Sequence, residues 1–281
     1  MYCRVYWNKK RKSLRIWRIS VSMLVKEDFK KGFQSLGLKT GDTIIVHTSL
    51  SKLGYVCGGP QTIIEALLET VGERGTILMP TQSWKNLLPE SGVHYEVPKE
   101  LWDLLKENLP AYDKDITPTN TMGAVAEMFR KWPGAIRSDH PARSFAAKGA
   151  NAQYLIENHD LSDIFGKQSP IGKLYKLDGK VLLIGVDHDK NTSLHLADVL
   201  AEYPNKRNET VSSVMNVNGI RQWVEYETLE VDGEDFIPLG ADFEHSNPIG
   251  QINIGNALVK CMNQRSLVDF AVTWIENNRG H

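Results

Sequence analysis

His195 and Asp198 stand three residues apart in NTSLHLAD, residues 191–198. On a helix that spacing makes them neighbours. An imidazole about one turn from a helix start feels the positive dipole end, which disfavours imidazolium and keeps the ring able to take a proton. A carboxylate beside it opposes that effect, and can orient the ring or hold an ammonium group. The pair has the composition of a general base and its partner. A helical histidine also serves structure alone, and the pair by itself leaves both readings open.

Three further segments carry residue types suited to binding. HTSLSKLGYVCGGP, residues 47–60, sets small residues and glycines between an apolar run and a helix start. Backbone N–H groups and the dipole end there suit an anionic or amide-bearing ligand. TPTNTMGAVAEMF, residues 117–129, brings the hydroxyls of Thr117, Thr119 and Thr121 to a tight Met122-Gly123 entry into another helix. RSDHPARSFAAKG, residues 137–149, crowds Arg137, His140, Arg143 and Ser144 together, and a guanidinium fork suits phosphate or carboxylate. An ordinary connection, helix capping and an arginine-rich structural turn explain the same three segments. No G-x-x-x-x-G-K-[ST], G-x-G-x-x-G after a strand, H-E-x-x-H or G-x-S-x-G is present, so these routes to nucleotide, dinucleotide, zinc-peptidase and esterase chemistry are closed. His188 and His195 lack a third ligand at a supporting spacing, and no metal is expected.

The elements that must position these groups follow from periodicity. Phe29, Phe33 and Leu36 share a helical face in residues 25–37, with Gly37 as the stop. TIIVHTSL and TILMPT read as buried strands flanking the helix PQTIIEALLETVG, with Pro60 at its first position, which makes a crossover unit. Residues 84–120 read as irregular, rich in Trp, Pro and polar groups. MGAVAEMFRKWPG is a helix, residues 135–149 a loop running into a strand, SPIGKLYKLDG a short helix and KVLLIGV a third buried strand. NTSLHLADVLAEYP is a helix with Asn191 or Thr192 as N-cap. Asn218-Gly219 lies between two extended runs as a hairpin signal, and a hairpin among crossover units predicts a mixed sheet. SLVDFAVTWIENNRG closes the chain as an amphipathic helix, with Ser266 and Asp269 spaced like a capping pair.

The 281 residues contain 41% apolar and 24% charged side chains, the composition of an ordinary globular domain. No stretch approaches the ~20 apolar residues of a membrane span. Three cysteines, Cys3, Cys57 and Cys261, lie far apart, and the default is a reducing, cytoplasmic setting. The formal net charge of −1 is unevenly spread. Residues 1–22 hold seven bases and no acid, read as a loose basic extension before a single domain over 23–281. Residues 187–244 hold thirteen acids against four bases. That region is either a solvated face or a field that focuses a cationic ligand. The basic tail alone would suggest nucleic acid or an anionic surface, but neither a nucleic-acid nor a membrane partner is expected.

Four blocks taken together carry a resemblance. They are residues 46–84 (VHTSLSKLGYVCGGPQTIIEALLETVGERGTILMPTQSW), 117–149 (TPTNTMGAVAEMFRKWPGAIRSDHPARSFAAKG), 169–198 (SPIGKLYKLDGKVLLIGVDHDKNTSLHLAD) and 254–276 (IGNALVKCMNQRSLVDFAVTWIE). In that order the chain resembles the antibiotic N-acetyltransferases, the aminoglycoside 3-N-acetyltransferase family, from about residue 24 to 276. The resemblance implies an α/β fold with a mixed central β-sheet flanked by helices on both faces, unlike the GCN5-related acetyltransferases. It implies acetyl-CoA as co-substrate and a small-molecule amine, a polycation of the aminoglycoside type, as acceptor at its 3-N position. An oligomer is left open, as are an acceptor of another kind and a CoA-binding protein without transfer activity.

Carried onto this sequence, the family's cofactor side falls on Ser49, Ser51 and Gly54, on Thr119, Met122 and Gly123, and on Arg137, Ser144 and Phe145. Its TxxH element matches Thr192 and His195, with His195 the expected base; the acid after it is Asp198, one methylene shorter than the usual Glu. Asp198, Asp242 and Glu244 are the acids expected to hold the acceptor's ammonium groups, and backbone N–H groups at 49–54 to polarise the thioester carbonyl. Direct transfer is the expected course. Covalent transfer through Cys57 in the glycine-rich loop is the alternative.

Overall fold

A computed structural model describes the strands Val5–Asn8 and Ser13–Ile16 and residues 23–279. In chain order the first elements are β1 Val5–Asn8, β2 Ser13–Ile16, β3 Met23–Leu24, α1 Lys26–Ser35, β4 Thr43–Thr48, α2 Leu50–Leu53, β5 Tyr55–Val56, α3 Pro60–Val71 and β6 Thr76–Pro80. Next come α4 Trp102–Asn108, α5 Gly123–Phe129, β7 Ile136–Arg137, β8 Phe145–Gly149, α6 Ala152–Ile156, α7 Pro170–Lys176, β9 Lys180–Ile184 and α8 Leu194–Leu200. The chain finishes with β10 Asn208–Val217, β11 Ile220–Leu229, α9 Phe236–Ser246, β12 Gly250–Ile254, β13 Ala257–Asn263 and α10 Gln264–Asn278.

Seven strands form the central sheet in the order β12-β13-β9-β4-β6-β8-β7. Its middle is parallel, β4 pairing with both β6 and β9. Its edges are antiparallel. The three middle strands are apolar on both faces because both faces are covered. Ile44, Val46, Ile77, Met79, Leu182 and Ile184 join the core cluster that holds α1, α3 and α5. Ile45, Leu78, Val181 and Leu183 join the opposite cluster, with α6 to α10. Each large aliphatic side chain so buried contributes roughly 1.5–3 kcal/mol relative to exposure. The expected mixed sheet with helices on both faces is the observed one.

The reason for the mixing differs from the expected one. The Asn218-Gly219 hairpin does form, β10 against β11, but as a separate two-stranded sheet. The antiparallel edges of the central sheet come instead from β12–β13 and from β7–β8. Within residues 84–120, read as irregular, the helix α4 forms. Its last carbonyls are held from the hairpin: Arg221 donates to Leu109 O and Lys106 O, and Trp223 Nε1 donates to Lys106 O. Those partners lie more than a hundred residues away in sequence. The cap of α10 is Asn263, whose side chain accepts from Ser266 N, while Asp269 accepts from Tyr175. At α8, Asn191 Oδ1 accepts from the N–H of Ser193, the residue before the helix. Of the basic N-terminal extension, the structure describes the antiparallel pair β1–β2, and the rest lies outside the described residues.

Candidate active site

The carboxyl ends of β4, β6 and β9 open on one crevice. The crossover from β4 to β6 runs through α3 on one face, whereas β9 is entered from α7 on the other. A ligand crevice is expected at such a switch in an open α/β sheet. Two cavities occupy it. The larger, about 590 Å³, is bounded by the end of β4, by Ser49, Ser51 and Gly54, and by Met122 and Gly123. The smaller, about 420 Å³, contains His195. Thr121, Met122, Lys190 and Thr192 line both, so the two adjoin.

Local backbone shapes the junction. Thr121 holds a left-handed φ of +59° and Gly123 one of +83°. A non-glycine residue in that region stores strain, and the turn carries the chain into α5. A Cβ on Gly123 would meet Thr48 O at an ordinary contact distance of 3.6 Å, so it is the backbone angle and not the space that calls for glycine here. Gly54, with φ +91°, ends α2 on the same wall. Of the amides at 49–54, Ser49 N–H is spent on Ile184 O and Lys52 N–H on Ser49 O. Those of Leu50 and Ser51, in the first turn of α2, are the ones a helix start leaves to outside partners.

His195 Nδ1–H donates to Asp198 Oδ2 at 2.9 Å. Its ring stacks on Phe165 at 4.8 Å between centroids and meets Phe236 at 4.8 Å. The two rings fix the imidazole plane, the carboxylate fixes its tautomer, and Nε2 remains for a substrate. Asp198 is completely buried. Its other oxygen, Oδ1, accepts from Arg279 Nη1 at 2.6 Å. Asp198 therefore orients the imidazole but does not reach the cavity. The expectation that it holds an acceptor ammonium is corrected by its burial and by its two filled oxygens.

Several other expected site residues lie elsewhere. Arg137 is buried and spends its guanidinium on the structure, donating to Thr81 O, Ser83 Oγ and Thr117 O at 2.5, 2.7 and 2.6 Å. Ser144 donates to Thr81 O, and Phe145 is a core residue. Neither lines a cavity, because β8 turns them into the protein. Thr119 is also outside the lining; its N–H donates to Glu127 Oε2. Asp242 accepts from Trp274 Nε1, and Glu244 is tied to His188 Nε2 and Lys260 Nζ. Both acids sit on α9 away from the two cavities. Asp187, His188 and Glu244 do bring three ligand atoms together. Lys260 Nζ already lies 2.8 and 2.7 Å from Asp187 and Glu244 and takes the place of a cation. Cys57 is exposed and lines neither cavity, which removes support from a covalent route.

The crevice adds groups beyond the expected site residues, among them one of the two arginines crowded into residues 137–149. His47, on β4, lines the larger cavity with its buried Nε2 unpartnered, and burial pushes it down to about 3. It is therefore neutral at any working pH. Arg143, not Arg137, reaches the smaller cavity, where it lies 5.5 Å over the Trp84 ring and donates to Gln82 Oε1 at 3.3 Å. Asp189 is the acid of that cavity, ion-paired with Lys190 at 3.1 Å. Phe165 and Phe236 are apolar residues of unremarkable spacing, and no sequence signal marks them as neighbours of His195.

The profile of the aminoglycoside 3-N-acetyltransferase family matches residues 45–276. The chain is 40% identical over 256 residues to YokD of Bacillus subtilis, a prophage-derived aminoglycoside N(3')-acetyltransferase-like protein, covering 90% of this chain and 93% of that one. It is 36% identical to aminoglycoside N(3)-acetyltransferase IX of Micromonospora chalcea, over 90% and 94% of the two chains. The crystal structure of YokD superposes with a TM-score of 0.85 at 38% identity, covering 90% of this chain and 99% of that one. The structure of AAC-IIIb in a binary complex with CoASH superposes at 0.82 with 31% identity, covering 92% and 98%.

Proposed function

The chain belongs to the aminoglycoside 3-N-acetyltransferase family and is an acyltransferase with acetyl-CoA as co-substrate; from that premise we propose that it transfers acetyl directly to an amine of an aminoglycoside-like acceptor, at the 3-N position, with His195 as general base. The observation that carries this is His195, hydrogen-bonded to the buried Asp198 behind it, standing in the smaller of two adjoining cavities. The transferase body is read as residues 23–281, acting in the cytoplasm; no described helix is long and apolar enough to cross a membrane.

The larger cavity suits a pantetheine chain and its phosphates. Its wall offers the hydroxyls of Ser49 and Ser51, close backbone approach at Gly54 and Gly123, and the Lys190 ammonium. The amides of Leu50 and Ser51 would meet the thioester carbonyl oxygen as it gains negative charge. The acceptor would lie in the smaller cavity, between Trp84 and His195, with Asp189 for an ammonium group.

An ammonium cannot attack a thioester. His195 Nε2, directly or through one water, takes the proton that frees the nitrogen lone pair. Nδ1–H stays on Asp198 throughout, so the imidazolium formed is held by a charge already in place. The amine nitrogen bonds to the acetyl carbon and sheds a second proton to water, the carbon–sulfur bond breaks, and the proton on His195 can pass to the departing thiolate. Products are the acetamide and the free thiol.

One feature favours a wider acceptor range. Arg143 lines the acceptor side and forms no ion pair among the described residues. An amine that also carries hydroxyl or acidic groups would meet it better than a bare polyamine. Thiol release from acetyl-CoA, measured against aminoglycosides, simple polyamines and acidic amino sugars, tests the reading. Release should require an amine and fall about 10²–10⁴-fold in His195→Ala. Amine-dependent release at wild-type rate in that variant would remove His195 as the base.

A further inference from the structure

A fully buried carboxylate is costly unless its charge is met and its oxygens are hydrogen-bonded. Asp198 has two partners, His195 on one oxygen and Arg279 on the other. If the histidine were the only counter-charge, the carboxylate would favour imidazolium, and an imidazolium is no base. Arg279 supplies a permanent cation instead. The same guanidinium donates to both oxygens of Asp235, 2.6 Å each, and to Asp232 O at 3.2 Å. The Tyr203 ring lies under it at 5.3 Å.

Those contacts reach the acceptor wall. Residues 232–236 carry Gly233, where a Cβ would lie 3.8 Å from His195 Cε1, and Phe236, whose ring packs on the imidazole. A single side chain just beyond α10 thus joins the group behind the base to the segment beside it.

We propose that Arg279 is a positioning residue: it keeps Asp198 in the rotamer that orients His195, gives the buried carboxylate a counter-charge other than the imidazole, and ties the 232–236 segment against the base. The inference rests on the reading of His195 as general base. The charged or titratable groups around the pair are Tyr203, Asp235 and Arg279 behind it, with Asp189, Lys190 and Arg143 on the cavity side. Of these, Arg279 is the group that touches Asp198.

The test compares wild type with Arg279→Gln, which keeps side-chain polarity without charge, and Arg279→Lys, which keeps the charge. The His195 ring is titrated by NMR and kcat/KM is followed against pH. In Arg279→Gln the buried Asp198 charge loses its cation, so imidazolium is favoured. The His195 midpoint and the acid limb of kcat/KM should both rise by about one pH unit. The value of kcat at neutral pH should drop about tenfold, with KM for acetyl-CoA within about twofold. Arg279→Lys should return the midpoint towards wild type. A folded Arg279→Gln protein with an unmoved His195 midpoint overturns the proposal. Loss of stability with an unmoved midpoint reduces Arg279 to a structural residue and overturns it equally. If wild type acetylates no amine, the transferase reading fails, while the NMR titration still decides the role of Arg279.

Discussion

The imidazole of His195 is pinned from three sides: Asp198 accepts its Nδ1–H at 2.9 Å, and Phe165 and Phe236 each stand 4.8 Å from it. Asp198 is the polar member of this cage and has no exposure of its own. Its short side chain reaches the ring because one helical turn already brings the two together.

Asp198→Asn should therefore slow the chemistry without touching cofactor binding. An amide can present N–H to Nδ1 and select the wrong tautomer. We expect kcat to fall by at least about 10²-fold, with KM for acetyl-CoA changed by less than about threefold. Steady-state kinetics with saturating acceptor checks this. An equal fall in kcat and in acetyl-CoA affinity would mean that Asp198 shapes the larger cavity too.

Arg137 separates structure from binding. Its guanidinium donates to three backbone carbonyls and to the hydroxyls of Thr81, Ser83 and Ser144. Arg137→Ala strands several buried acceptors, and we expect a loss of roughly 3 kcal/mol or more in urea unfolding. The protein that remains folded should bind acetyl-CoA normally by calorimetry. Weakened binding with unchanged stability would restore Arg137 to the cofactor site.

Gly123 tests the junction of the two cavities. Its φ of +83° disfavours any Cβ, although Thr48 O at 3.6 Å leaves room for one. Gly123→Ala should cost about 1–2 kcal/mol of stability. Because the Met122-Gly123 turn lines the larger cavity, KM for acetyl-CoA should rise about tenfold, whereas a wild-type KM would show that the cavity takes no part in cofactor binding.

Acid should unfold the protein through its buried histidines. Burial lowers His47 to about 3 and His159 to about 4, and holds His140 well below its ordinary range. In the unfolded chain these rings titrate near 6.5. The folded pKa is depressed, so the unfolded state binds more protons below pH 6.5. Stability is full above that pH and declines as pH falls towards 4 to 3, by up to about 1.4 kcal/mol per pH unit for each ring. Urea unfolding between pH 7 and 5 measures the slope. His159→Gln should reduce it by about one ring's share; an unchanged slope would assign the acid sensitivity to other groups.

Much of the molecule was legible in residue order. The runs TIIVHT, TILMP and KVLLI are long enough, apolar enough and β-branched enough to be buried on both faces, and a strand so buried needs helices above and below it. The spacing of His195 and Asp198 was legible for the same local reason, since a helix brings residues three apart together whatever surrounds them. Glycines at 54 and 123 marked where backbone would take a left-handed φ.

Which polar group faces inward could be decided only by the tertiary structure. Arg137 and Arg143 are six residues apart, alike as sequence, yet β7 and β8 turn the first into the protein and leave the second on the smaller cavity. The acids of 187–244 read as either a solvated face or one field. Folded, Glu244 pairs with Lys260, Asp198 with Arg279, and Asp189 alone of the three lines the cavity. Arg279 itself stands 81 positions from Asp198. Periodicity reports only contacts within one helix or strand, and these partners come from different elements whose meeting depends on the packing of the whole sheet.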